Sequence, residues 1–144
     1  METLRFQTGI FPPPLHAARR QEIRRVTAYI ERNFARAIAL DELAAIAGLS
    51  LFRFIKLFRR EIGLPPHRYH SYIRVQVAQK LMLEGLPVAE IASEVGFCDQ
   101  SHLNRHFKAF CGVTPGAYIK RRRAEPAERF VSHASWTAAE ARAA

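Results

Sequence analysis

The chain writes one pattern twice. Glu42-Leu43-Ala44 reaches Gly48 four residues after its alanine, and Glu90-Ile91-Ala92 reaches Gly96 at the same distance. An apolar residue follows each glycine, Leu49 or Phe97, then a short turn and a stretch with apolar anchors among basic residues. Both copies close alike, as Gly63-Leu64-Pro65-Pro66 and Gly112-Val113-Thr114-Pro115. Gly48 and Gly63 are 15 residues apart and Gly96 and Gly112 are 16, so the second copy carries one extra turn residue near Cys98. A repeat this long, with matched glycines and prolines, is not the chance likeness of two helical cores. Each copy reads as a short helix, a glycine turn and a longer helix, which is the helix-turn-helix pattern. Ala44 and Ala92 let the second helix cross closely over the first. Gly48 and Gly96 permit a backbone angle that a side chain would penalise. Leu49 and Phe97 plug the space between the helices, and Phe54 and Phe58 correspond to Leu103 and Phe107.

Around the repeat the remaining chain also reads as helix. Residues 1–15 contain Phe11-Pro12-Pro13-Pro14, whose fixed φ and missing donors predict a linker or arm. A helical pattern starts near His16, with Ile23, Val26, Ile30 and Phe34 forming one apolar stripe. A short helix begins at Asp41, turns Leu43, Ala44 and Ile46 inward and stops at Gly48. Ser50 is a good N-cap for a helix over 51–62. Pro65-Pro66 opens the longest pattern, 66–84, with Tyr69, Tyr72, Ile73, Val77, Leu81 and Met82 on one broad face. Gly85 and Pro87 end it. Helices over 88–95, 99–111 with Asp99 as cap, and 114–122 from the Thr114-Pro115 pair complete the pattern. No convincing strand is present, so the fold class is all-α. The expected organisation is an arm over 1–15, a first helix-turn-helix unit over 16–65, a central linker helix over 66–85, a second unit over 86–122, and a disordered tail over 123–144.

Composition narrows the partner. The 144 residues hold 22 Lys+Arg against 13 Asp+Glu, a formal net charge of +9. That balance suits a polyanion, meaning nucleic acid or an anionic membrane surface. An apolar fraction of 49% is enough for a real core. Two cysteines, Cys98 and Cys111, are too few for a disulfide framework and fit a reducing cytoplasm. No run approaches the apolar length of a membrane span, and the start METLRFQTGIFPPP does not read as a secretory signal. Neither a glycine-rich phosphate loop, a paired-carboxylate pocket nor a nucleophile elbow is written here, so nothing asks for an enzyme.

These segments resemble the DNA-binding region of the AraC/XylS transcription regulators. The resemblance covers about 20–121 and is carried by LDELAAIAGLS, LFRREIGLPPHRY, YIRVQVAQKLML and VAEIASEVGFCDQSHLNRHFKAFCGVTPGAYIK. It implies two helix-turn-helix subdomains joined by the central helix, and two recognition helices entering successive major-groove segments of double-stranded DNA. The expected setting is a bacterial cytoplasm, with activation as the working sign of regulation and repression left open, RNA polymerase as an expected further partner and no cofactor. By position, the family's base contacts fall on Phe52, Ile55 and Lys56, then on Gln100, Ser101 and Arg105. Relatives commonly carry a sensing or dimerising domain before this region, and only about 20 residues precede it here. A stand-alone member, a DNA-binding fragment and a shortened reading of a longer gene all fit. No small-molecule effector site is evident in the chain.

The residues themselves agree with two reading faces. In the second copy Leu103, Phe107 and Phe110 point inward, leaving Gln100, Ser101, Asn104, Arg105 and Lys108 on the opposite face. Arg suits guanine, and Gln or Asn suits adenine. In the first copy Phe54, Phe58 and Ile62 point inward, leaving Phe52, Arg53, Ile55, Lys56, Arg59 and Arg60 outside. Phe52 and Ile55 admit two readings: apolar contact with thymine methyls, or a first helix whose base readout is weakened. Lys56 beside them favours the first. Phosphate contacts are expected from Ser50, Arg59, Arg60, Lys108, Thr114, Lys120 and Arg121. The Arg121-Arg122-Arg123 run either touches phosphates or offsets a helix C-terminus.

Other clusters weigh less. His102 and His106 stand four apart, but HLNRH lacks the glutamate of HExxH and no third ligand is near, so no metal is expected. Both are read as groove-facing or surface histidines, and His67 and His70 as surface or DNA-backbone residues. Cys98 lies in the turn before the second reading helix, where a single thiol without a basic trigger is usually inert. The rival to a DNA reader is a basic helical adaptor that binds a protein or membrane surface without base readout.

Overall fold

A computed structural model describes residues 21–124. These residues form seven helices and no strand: α1 (Gln21–Arg32), α2 (Leu40–Ala47), α3 (Leu51–Ile62), α4 (Pro66–Leu83), α5 (Val88–Glu94), α6 (Gln100–Cys111) and α7 (Pro115–Ala124). The all-α expectation is met. The expected arm at 1–15, the helix start near His16 and the tail beyond Ala124 lie outside the described residues. Arg123 and Ala124, placed in that tail by the sequence, instead finish α7.

Local chemistry explains the boundaries. The Ser50 hydroxyl accepts from the Arg53 amide at 3.4 Å, and Asp99 Oδ1 accepts from the His102 amide at 2.8 Å. Each thereby satisfies one of the donors that a helix N-terminus leaves without a partner. Thr114 does the same for α7, its Oγ1 accepting from the Ala117 amide at 3.2 Å. Gly48, Gly63 and Gly112 close α2, α3 and α6 in the left-handed conformation. The extra residue of the second copy is in its turn: α3 begins three residues after Gly48, α6 begins four after Gly96, and both helices are 12 residues long.

Two cores result. The first gathers Ile23, Val26 and Ile30 of α1, Leu43, Ala44 and Ala47 of α2, and Phe54, Phe58 and Ile62 of α3. The second gathers Ile91, Ala92, Val95, Phe97, Leu103 and Phe107. Ile46, expected inward, is only half-buried, and Ala47 takes the fully buried place one residue later.

The central helix serves both cores, and here the expectation of one broad face is corrected. Ile73 belongs to the first core, whereas Val75, Val77, Ala78 and Met82 belong to the second, and Gln79 is buried as well. At 100° per residue these positions surround the helix. The reason is that each end of α4 is covered from a different side by a different unit, so no single apolar period is written into it. Tyr69 and Tyr72 near its start pack against the first core, and Tyr69 Oη donates to Glu31 on α1 at 3.0 Å. Burial and the Glu31 carboxylate hold the Tyr69 phenol above its usual range.

Candidate nucleic-acid interface

On α3 the inward residues Phe54 and Phe58 are fully buried, and their rings meet at 5.6 Å between centroids. Their burial fixes which side of the helix faces out. Arg53, Lys56, Arg59 and Arg60 are exposed, and Phe52 is 76% exposed. Ile55, expected outward, is half-buried and packs against the first core. It therefore offers an edge rather than a free side chain. Arg60 lies against Glu61, Nη2 to Oε1 3.1 Å, so part of its charge is answered within the helix.

On α6 Leu103 and Phe107 are fully buried, and Gln100, Ser101, Arg105 and Lys108 are exposed as expected. Asn104 departs from the set. It is half-buried, and its Oδ1 is buried with no hydrogen-bond partner. Ser50 and Thr114 are exposed, with their hydroxyls engaged as caps, and Lys120 and Arg121 are exposed on α7. Arg122 lies with its guanidinium 5.7 Å from the centre of the Tyr118 ring.

Sequence reasoning missed what stands behind these faces. His102 Nε2 and His106 Nε2 are 3.1 Å apart, and both rings meet Phe97, His106 stacked at 5.1 Å and His102 edge-on at 5.0 Å. The Cys98 amide donates to His102 Nδ1 at 3.4 Å. His106 is pushed down to about 4 by burial first, then by His102, Arg68, Arg105 and Arg74. It is therefore a neutral acceptor at physiological pH. His70, expected on the surface or at the DNA backbone, is half-buried instead and turned to the main chain. Its Nε2 donates to the Phe34 carbonyl at 2.7 Å, and burial lowers its pKa. Arg68 carries its guanidinium 5.0 Å from the Phe110 ring centre. The partners of His70 and Arg68 are distant in sequence, one of them a backbone atom, so neither contact had a sequence signal; the four-residue spacing of His102 and His106 was visible, but not the packing of both rings on Phe97.

Two cysteines differ in setting. Cys98 is exposed, while the half-buried Cys111 accepts from Gln79 Nε2 at 2.9 Å and is pushed up to about 12 by burial. A thiol held so high is a poor nucleophile. No group of three His, Cys, Asp or Glu is arranged as a metal cage among the described residues. No helix among them is long and apolar enough to cross a membrane.

Two helices, α3 and α6, each capped and each turned outward by its own aromatic or apolar anchors, pack on one continuous central helix. A family model described as a helix-turn-helix domain matches residues 43–141. A probable AraC family transcriptional regulator from Rhodopseudomonas palustris has the same fold, with 30% identity and a TM-score of 0.63 over 73% of this chain and 98% of that one. The chain belongs to the AraC family of helix-turn-helix transcriptional regulators. Among its relatives, the transcriptional activator NphR of a Rhodococcus species is 36% identical over 104 residues, which are 71% of this chain and 31% of NphR. The DNA-binding domain of AdpA, solved in complex with a target DNA, is 30% identical with a TM-score of 0.61, covering 69% of this chain and 90% of that one. The chain spans about a third of the length of the first curated relatives it matches.

Proposed function

We propose that this chain binds double-stranded DNA in a sequence-specific manner and regulates transcription, reading two successive major-groove segments with α3 and α6. The observation that carries the reading is the pair of outward faces. Each recognition helix buries apolar anchors completely and leaves cations and hydrogen-bonding side chains outside. Such a face satisfies the groove's donor and acceptor pattern while the excess of positive charge answers the phosphates. Gln100, Ser101 and Arg105 supply polar readout from α6. Phe52, Arg53 and Lys56, with the edge of Ile55, supply a more apolar readout from α3 suited to thymine methyls. Asn104 joins the first set only by rotating its buried amide outward. Arg59, Arg60, Lys108, Lys120 and Arg121 hold the backbone, and Ser50 and Thr114 direct helix N-termini toward phosphates.

Two different reading helices on one chain make a dimer unnecessary. The expected complex is a monomer on one asymmetric site whose halves are about 34 Å apart, one helical turn. The name of the relative NphR, a transcriptional activator, supports activation as the sign of regulation; contact with RNA polymerase in a bacterial cytoplasm belongs to the same proposal. Selection of binding sites from random duplexes, followed by gel shifts on the selected and scrambled sequences, tests the proposal. Enrichment of one asymmetric motif bound by a monomer is the expected result. A palindromic motif bound by a dimer overturns the geometry. Equal binding to every duplex overturns base readout and leaves a basic adaptor.

A further inference from the structure

We propose that Phe34, Arg74 and Gly96 form a latch between the two helix-turn-helix units, and that this latch sets which half-site spacing the chain accepts. The second clause rests on the DNA-reading function proposed above; the first does not. A single helix shared by two units resists rotation about its axis but still bends. In this chain a second connection runs beside α4. The loop after α1 belongs to the first unit, yet Phe34 within it packs against both cores. The Phe34 carbonyl accepts from Arg74 Nε and from His70 Nε2, each at 2.7 Å, and the Arg36 carbonyl accepts from Arg74 Nη2 at 3.1 Å. The other side of the same guanidinium faces the second unit, 5.5 Å from the centre of the Phe97 ring. Phe97 in turn stacks on His106 of the reading helix α6.

Beside Phe97 the two units meet backbone to backbone. A Cβ built on Gly96 would lie 2.1 Å from the Ala35 carbonyl oxygen, so only glycine admits this approach. Gly48, the equivalent position in the first copy, has nothing within 4 Å of such a Cβ. The repeat therefore uses its turn glycine for two purposes, and in the second copy the glycine is also a docking point. Arg74 is suited to its place because a planar fork reaches two carbonyls at once while its face lies on an aromatic ring. A lysine has the charge but neither the fork nor the plane. Burial lowers the Arg74 pKa, and the guanidinium stays charged.

A latched pair of units presents its reading helices at one separation. Inserting one base pair moves one half-site by about 3.4 Å and turns it by about 35°, which a rigid reader does not follow. Arg74 is thus a positioning residue, and its test needs a readout that loss of charge alone leaves still. Spin labels at Asp41→Cys on α2 and Glu94→Cys on α5, in a Cys98→Ser, Cys111→Ser background, report the distance between units in the free protein. One narrow distance population is expected with Arg74 present, and a broad one for both Arg74→Ala and Arg74→Lys. Should Arg74→Ala not fold, Arg74→Lys carries the test. On duplexes with no, one or two base pairs inserted between half-sites, the parent chain is expected to lose about tenfold in affinity or more per insertion. Both variants are expected to lose only about threefold or less. A distance population that stays narrow in the variants overturns the latch, whatever the DNA result. Broadened distances with an unchanged spacing penalty overturn its part in specificity, and a lysine variant that matches the parent in both arms overturns the fork. If no duplex is bound selectively, the function proposed above fails and the distance arm still decides the latch.

Discussion

Gly48 and Gly96 occupy the same place in the repeat, yet alanine should cost very different amounts at the two. Both lie in the left-handed region, at φ 67° and 89°. There a Cβ costs about 1–2 kcal/mol whatever the surroundings. Gly48→Ala meets open space, so its cost should stop there. Gly96→Ala adds a Cβ 2.1 Å from Ala35 O, 2.7 Å from Ala35 C and 3.0 Å from Ala35 Cα, all backbone atoms that cannot rotate aside. The loop after α1 must retreat, and the three hydrogen bonds from His70 and Arg74 to Phe34 and Arg36 weaken with it. At about 1 kcal/mol net for each bond lost, added to the left-handed cost, Gly96→Ala should cost about 4–5 kcal/mol in all. That is a large share of the roughly 5–15 kcal/mol that holds a domain of this size together. Urea unfolding followed by circular dichroism at equal protein concentration measures both variants against the parent. The double variant Gly96→Ala, Arg74→Ala should cost less than the sum of its parts, because both changes break the same contact. Costs for Gly48→Ala and Gly96→Ala that agree within about 0.5 kcal/mol would refute the reasoning.

Three further outcomes are expected. Ala78 is fully buried in the middle of α4, so Ala78→Pro should remove a helix bond, add a clash and cost about 3 kcal/mol or more in the same unfolding experiment. His106 is held down to about 4, below the free-histidine value of about 6.5, so stability should be intact above pH 6.5 and fall as pH drops toward 4. After allowance for solvent screening of a half-exposed ring the loss should be about 1–2 kcal/mol, read as the difference between the parent and His106→Gln unfolding curves across that window. Arg105→Ala should cost about 1–3 kcal/mol on the selected site and relax preference at one base pair, whereas Lys108→Ala should weaken all sequences alike and lower the salt slope by about 1. Titrations of single-base variants at several salt concentrations separate the two, and equal loss on every sequence for Arg105→Ala would count against base readout.

How much of this was legible beforehand depended on whether the cause was local. Ser50 and Asp99 were readable as caps because an N-cap bonds within its own first turn, and both do. Helix ends at Gly48, Gly63 and Gly112 were readable because a left-handed residue is a property of one position. The central helix was readable as a helix but not as a packed object. Val75 and Ala78 are completely buried on sides that the apolar period left out, because the second unit covers α4 from a different side than the first unit does at Ile73. Ile55 and Asn104 were placed outward by helical angle alone, and each lies near the border of its buried face, where neighbouring elements decide exposure. His70 was read as a surface or DNA-backbone residue, and Arg74 entered no sequence pattern. Their partners are backbone carbonyls of Phe34 and Arg36, 36 to 40 residues away, and no side-chain pattern announces a carbonyl.

The two copies have diverged in a way that the structure makes consistent. In the first, the turn glycine is free, the outward helix face carries Phe52, and the core is anchored by two phenylalanines. In the second, the turn is one residue longer, its glycine docks on the first unit, and the helix face carries Gln100, Ser101 and Arg105. The longer turn has a physical use. It includes both Phe97, which faces Arg74, and Asp99, which caps α6, separated by Cys98. With two turn residues, as in Leu49-Ser50, one residue plugs the hairpin and the next caps the helix at once. The added residue therefore lets the second turn meet the first unit and still start its reading helix with a proper cap. The mismatch of one in the glycine spacing near Cys98 is thus accounted for by a turn in which one residue faces Arg74 and another caps α6.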